Sequence, residues 1–133
     1  MWKLSSVGLL SLLIIGICAV GCGKARHERA VRERAQKLIG HLCRGETDAC
    51  VEYADPVYVR AQGVNGAKVA FGLMGFALKL GKHSEQTVRV DEVAISDDGK
   101  TATVRISLLA DGQWKPINPS KWVYADGKWY ITF

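Results

Sequence analysis

From Ala25 to Arg44 the apolar residues Val31, Ala35, Leu38, Ile39 and Leu42 recur at helical spacing with charges between them. That pattern predicts an amphipathic first helix ending at Gly45. A short second helix is predicted from Thr47 or Asp48 to Tyr53, either residue being able to cap it. Asp55-Pro56 then reads as an N-cap and first helical residue, opening a turn from Pro56 to Ala61 that Gly63 breaks. The most apolar stretch that follows, Gly66 to Lys82, carries a single charge between Val69 and Leu80. It is too short for a membrane span and suits a core helix. Gly72 and Gly75 lie inside it, each costing about 1 kcal/mol relative to alanine. They point either to close approach by another element or to a hollow space beside the helix.

After Ser84 the period changes to two. Gln86–Ser96 is predicted as a strand whose phase slips at Asp91-Glu92, the mark of a β-bulge. Gly99 turns the chain with positive φ, and Thr101–Ala110 alternates with Ala102, Val104, Ile106, Leu108 and Ala110 on one side. Gln113-Trp114-Lys115 follows a second turn, and Pro116 and Pro119 make it an edge or an irregular insertion. Lys121–Tyr124 and Trp129–Phe133, joined through "ADGK", complete an antiparallel meander. The expected class is α+β, with N-terminal helices packed on a curved four-stranded antiparallel sheet.

The first 21 residues change the picture of location. Lys3 precedes an apolar stretch, and Ala19-Val20-Gly21-Cys22 ends it. This resembles a bacterial lipoprotein signal, in which small residues precede a cysteine that is acylated and becomes the mature N-terminus. The division expected is a signal peptide over 1–21, a lipidated Cys22 with a basic stalk and helix start over 22–37, and one domain over 38–133. Cys22 would then tether the domain to the membrane on the extracytoplasmic side of a bacterial envelope. The alternative is a single-span anchor, because Leu4–Gly21 is 18 residues without a charge.

The net charge of +5 is concentrated next to that segment. Lys24, Arg26, Arg29, Arg32, Arg34 and Lys37 stand against Glu28 and Glu33, whereas Gly40–Phe133 carries 11 bases and 11 acids. Lys24, Arg26, Arg29, Arg32 and Arg34 are therefore candidates for contact with anionic headgroups, the other reading being a solvated helix face. A neutral remainder without a basic face or a phosphate loop gives no sign of nucleic-acid binding.

Helices followed by a twisted antiparallel sheet ending in "WVYADGKWYITF" resemble the nuclear transport factor 2-like superfamily, and within it small exported lipoproteins of unassigned function. The resemblance runs over about Arg26–Phe133 and rests on the order of elements. It implies a cone whose sheet curves around a pocket closed by helices, a fold that hosts isomerases, dehydratases and non-catalytic binding proteins alike.

In an exported protein Cys43 and Cys50 are candidates for a disulfide across the turn between the first two helices. Two buried thiols, or a redox or metal role, are the other readings. A cone enzyme would need a desolvated acid beside a tyrosine, and Tyr53, Asp55, Tyr58 and Asp91 are the candidates. Each has a plainer structural role, as helix cap, bulge residue or amphipathic core residue. Trp114, Trp122 and Trp129 are candidates for an aromatic ligand or partner patch, with core packing the alternative. The three histidines form no ligand pair with the cysteines, so no metal or other cofactor is expected. These readings favour a tethered, non-catalytic domain that binds a small apolar ligand or a protein partner, with a small-molecule isomerase or dehydratase as the alternative.

Overall fold

Helical spacing places Val31, Ala35, Leu38, Ile39 and Leu42 on one side of the first helix, α1 (Trp2–Cys43), and all five are buried. The computed structural model describes residues 2–133, with side chains from residue 23 onward. His27 and Ala30 already pack on the domain and Val31 is fully buried, so the helix start within 22–37 contributes to the core. Gly45, with φ of 71°, reverses the chain after α1. Its N–H donates to the carbonyl of Leu42 and that of Glu46 to His41, satisfying helix-end carbonyls. α2 (Thr47–Cys50) follows and runs into a 3-10 turn, Val51–Tyr53. Glu46, rather than Thr47 or Asp48, stands at the N-cap of α2, and no side chain closes it.

Asp55 accepts a hydrogen bond from the Val57 N–H at 3.0 Å, and Pro56 opens α3 (Pro56–Leu80). The two expected helices form one element, bent where Gly63 adopts φ 78° and ψ 166°. α3 buries Ala67 and Phe71, with Met74 and Leu78 packed on the core from the same side.

The sheet contains β1 (Val88–Ile95), β2 (Thr101–Ala110), β3 (Gln113–Pro116), β4 (Ser120–Ala125) and β5 (Lys128–Thr132). It therefore has five strands rather than four. β2 is long enough to take two partners in succession on one side. Thr101–Val104 pairs with β4 and Ser107–Ala110 with β3, giving the order β1-β2-β4-β5 with β3 beside the far half of β2. Pro116 and Pro119 stand at that division, where a proline removes a ladder donor. The register of β1 on β2 shifts between Val90 and Glu92, which leaves Asp91 at a bulge.

Trp122, Trp129, Phe71, Val31 and Val104 fill the interior between the sheet and the helices. α1 is fastened to both outer strands by side chains on its two flanks. Arg32 donates to the carbonyl of Val90 in β1 at 3.0 Å, and Arg34 to that of Trp129 in β5 at 2.6 Å.

Candidate functional site

Around α3 the apolar pattern has two sides. At 100° per residue, Val69, Leu73, Phe76 and Leu80 lie opposite the core-facing set of Ala67, Phe71, Met74 and Leu78. These four are 63, 65, 59 and 69 % exposed. The charges along α3 and the turn after it are all basic, Arg60, Lys68, Lys79 and Lys82, with no acid between Asp55 and Glu85. Lys68 pairs with Asp48 of α2 at 3.0 Å.

Beside this stripe a cavity of about 260 Å³ opens between the end of α1, α2 and α3. Leu42, Cys50, Phe71 and Phe76 supply its apolar lining, and Arg44, Glu46 and Lys79 its charged lining. The two glycines of α3 have separate roles here. A methyl group at Gly75 would lie 3.1 Å from the Leu42 carbonyl oxygen, so this residue permits close approach of α3 to α1. A methyl group at Gly72 would meet no atom within 4 Å, so this residue leaves open space.

The rim electrostatics are local. Arg44 donates from Nε to Glu46 at 2.6 Å and also pairs with Glu85, while His41 lies 3.1 Å from Glu46. Hydrogen bonds from Arg44 and then His41 hold the Glu46 carboxyl below the usual carboxylate range. Cys43 is half-buried, Cys50 is buried, and both are thiols, so the disulfide expected between them is not formed in this structure. Burial pushes the Cys50 thiol up to about 11 and raises that of Cys43 as well, the charge of Glu85 adding to the latter.

The four catalytic candidates take up separate positions. Tyr53 is buried beneath the Arg34 guanidinium, 4.4 Å from its ring centre, and burial raises its phenol above the ordinary value. Asp55 caps α3, and Tyr58 packs on Phe133 with ring centres 4.8 Å apart. Asp91 is exposed at the bulge, accepting hydrogen bonds from Ser107 and, at 2.6 Å, from Arg89. Those bonds, Ser107's first, hold its carboxyl below the usual range.

The aromatic candidates divide. Trp122 and Trp129 are core residues, and Trp129 donates from Nε1 to Nδ1 of His27 at 3.2 Å, which places the ring hydrogen of His27 on Nε2. Trp114 is exposed on β3 with the Arg89 guanidinium 4.4 Å from its ring centre, so the structure links Trp114 and Asp91 through Arg89.

Of the five headgroup candidates, Arg32 and Arg34 are engaged with the domain's own carbonyls and Lys24 pairs with Asp97 at 3.3 Å. Arg26 and Arg29 are exposed. The side chains of residues 1–22, where the signal segment and the acylated Cys22 are expected, lie outside the described residues. Among the described residues no helix is long and apolar enough to cross a membrane, and no three His, Cys, Asp or Glu side chains are grouped as a metal site.

Sequence reasoning missed the outward stripe and Lys79. The signal was available: Val69, Leu73, Phe76 and Leu80 keep their own 4-3-4 spacing, out of phase with the core set.

Helices packed on an antiparallel sheet with a bulge in its first strand and a tight hairpin at its end give an α+β fold like that of solved nuclear transport factor 2-like (NTF2-like) proteins. A solved structure with this fold is a Campylobacter jejuni protein provisionally assigned as an NTF2-like transpeptidase. The two chains are 14 % identical, with a TM-score of 0.56 over 76 % of this chain and 95 % of that one. An NTF2-like protein with a cystatin-like fold from Novosphingobium aromaticivorans aligns over 77 % of this chain and 75 % of its own, at 12 % identity and a TM-score of 0.44. No protein-family model matches the chain, and no curated protein does.

Proposed function

We propose that this chain is a lipid-anchored protein of the bacterial envelope whose domain binds a protein partner through α3 and performs no chemistry of its own. The observation that carries the binding reading is the outward stripe of Val69, Leu73, Phe76 and Leu80 on a helix already buried on its other side. Isolated exposed apolar residues need no explanation, but four in register form a seam of the kind a partner helix covers. The basic residues along α3 select that partner's character: an apolar seam flanked by acids. A second copy of the same α3 would set lysine against lysine. The filled interior and the separate engagements of Tyr53 with Arg34, Asp55 with the start of α3, Tyr58 with Phe133 and Asp91 with Ser107 and Arg89 support binding over catalysis, since an acid–base pair needs its members free to reach one substrate. Attachment through Cys22 is supported by the small residues that precede it and the apolar stretch before them.

Two measurements test this reading. Mass spectrometry of the mature protein should find an acylated Cys22 at the N-terminus, and an intact Met1 would overturn the anchor. A photo-crosslinking residue at Leu73 should capture one protein in cells, Leu80→Glu should abolish the adduct, and the same probe at Thr103 on the sheet should not capture it. Adducts only to lipid or to the chain itself would overturn the partner assignment.

A further inference from the structure

The cavity beside Gly72 differs in chemistry from the stripe it adjoins. Its base is formed by Leu42, Phe71 and the buried Cys50, with the exposed Phe76 as its apolar edge. Its emptiness is written into α3, because residue 72 has no side chain and open space lies where one would begin. At about 260 Å³ it is slightly smaller than the range of drug-sized sites and matches a ligand of about ten non-hydrogen atoms.

The ionic contacts at its rim centre on Arg44. Glu46 and Glu85 both pair with Arg44, and His41 lies 3.1 Å from Glu46. Lys79, which also lines the cavity, has no carboxylate within ion-pairing distance among the described residues. An apolar base with one cation at its rim that makes no ion pair is complementary to a molecule with a compact apolar end and a single negative charge.

We infer that this cavity is a binding site for a small aryl-alkyl carboxylate, its ring against Phe71 and Phe76 and its carboxylate on Lys79. A second carboxylate on the ligand would face Glu46, and a long acyl chain would exceed the volume. Neutral aromatic compounds fit the base but leave Lys79 unanswered. The site goes beyond the partner-binding reading and depends on neither the partner nor the anchor, sharing Phe76 with the stripe and Lys79 with the bases that flank it.

The full chain in phosphatidylcholine nanodiscs, with empty nanodiscs as blank, is titrated calorimetrically with 3-phenylpropionate and with the neutral 3-phenylpropan-1-ol. The acid should bind about fivefold more tightly than the alcohol, the advantage of one partly exposed ion pair. Lys79→Gln should bring the acid to the affinity of the alcohol, and Gly72→Leu should abolish binding of both without lowering the melting temperature. Val69→Glu with Leu80→Glu, which disrupts the stripe, should leave acid binding intact. Equal affinity of acid and alcohol for the unaltered chain, no binding of either, or loss of binding through the stripe variant would each overturn the site. Should Gly72→Leu fail to fold, the Lys79→Gln comparison alone decides.

Discussion

Gly75 and Leu42 meet backbone to backbone: a methyl group on the glycine would lie 3.1 Å from the carbonyl oxygen of the leucine. Three residues earlier on the same helix, Gly72 faces open space. The two positions share a helical context and differ in their surroundings. Gly72→Ala should therefore stabilise the fold by about 0.5–1 kcal/mol, the gain in helix propensity. Gly75→Ala should fall short of that gain, since α1 or α3 must shift to admit the methyl group. Urea denaturation of the two variants checks the difference, and equal midpoints would show that the contact does not constrain packing.

Trp129 is buried with its indole N–H on His27 Nδ1. His27→Phe keeps the bulk and removes the acceptor, leaving a buried donor unsatisfied at a cost of about 1–3 kcal/mol. His27→Gln can offer an oxygen in its place and should recover part of the loss. Denaturant midpoints at unchanged m-value measure both, and equal stability of the two variants would count against the bond.

Asp91 provides an acid-side signature. Its folded pKa lies below the unfolded one because Ser107 and then Arg89 favour its charged form. The stability it lends is thus fully present above the unfolded carboxylate range and is lost as pH falls through the folded value. Asp91→Asn should lower Tm at pH 6 and reduce the further fall in Tm below about pH 4. Glu46 and Asp98, whose carboxyls are also held low, sustain the remaining decline. Parallel melting curves for the two proteins across pH 2.5–6 would contradict this assignment.

Burial should make the two thiols of the domain unequal. Cys43 is half-exposed and Cys50 is not, and both are held above the ordinary thiol range. Iodoacetamide at pH 7.5 should label Cys43 slowly and leave Cys50 unmodified, with both reacting alike in guanidinium. Peptide mapping reads the outcome. A Cys43–Cys50 peptide two hydrogens lighter and resistant to labelling would show instead that the sequence expectation of a disulfide holds in solution.

Much of the backbone was legible because local chemistry determines it. The phase slip at Asp91-Glu92 marked the bulge, Gly99 marked the turn, and Asp55-Pro56 marked the start of α3. What was not legible depends on partners distant in sequence. The separate meanings of Gly72 and Gly75 depend on where Leu42 lies. β3 became a fifth strand because β2 is long enough to pair twice, which alternation within β2 cannot reveal. The inward face of the first helix was legible in the spacing of Val31 and Ala35, but that Arg32 and Arg34 turn onto carbonyls of β1 and β5 depends on strands far away in sequence. The candidate site was only half visible: the apolar character of α3 was evident, but the cavity needs α1, α2 and α3 together.

The arginine pair on α1 has a consequence for the protein in a crowded compartment. The outer strands of an open sheet carry rows of unpaired carbonyls and amides that can template another chain. Here Arg32 occupies the Val90 carbonyl on one side, while Arg34 and the Asp55 N–H occupy those of Trp129 and Ile131 on the other. Two positively charged residues that a reading of charge alone assigns to lipid thus shield part of the β1 and β5 margins from pairing with another chain, while β3, paired with β2 alone, keeps its outer side exposed.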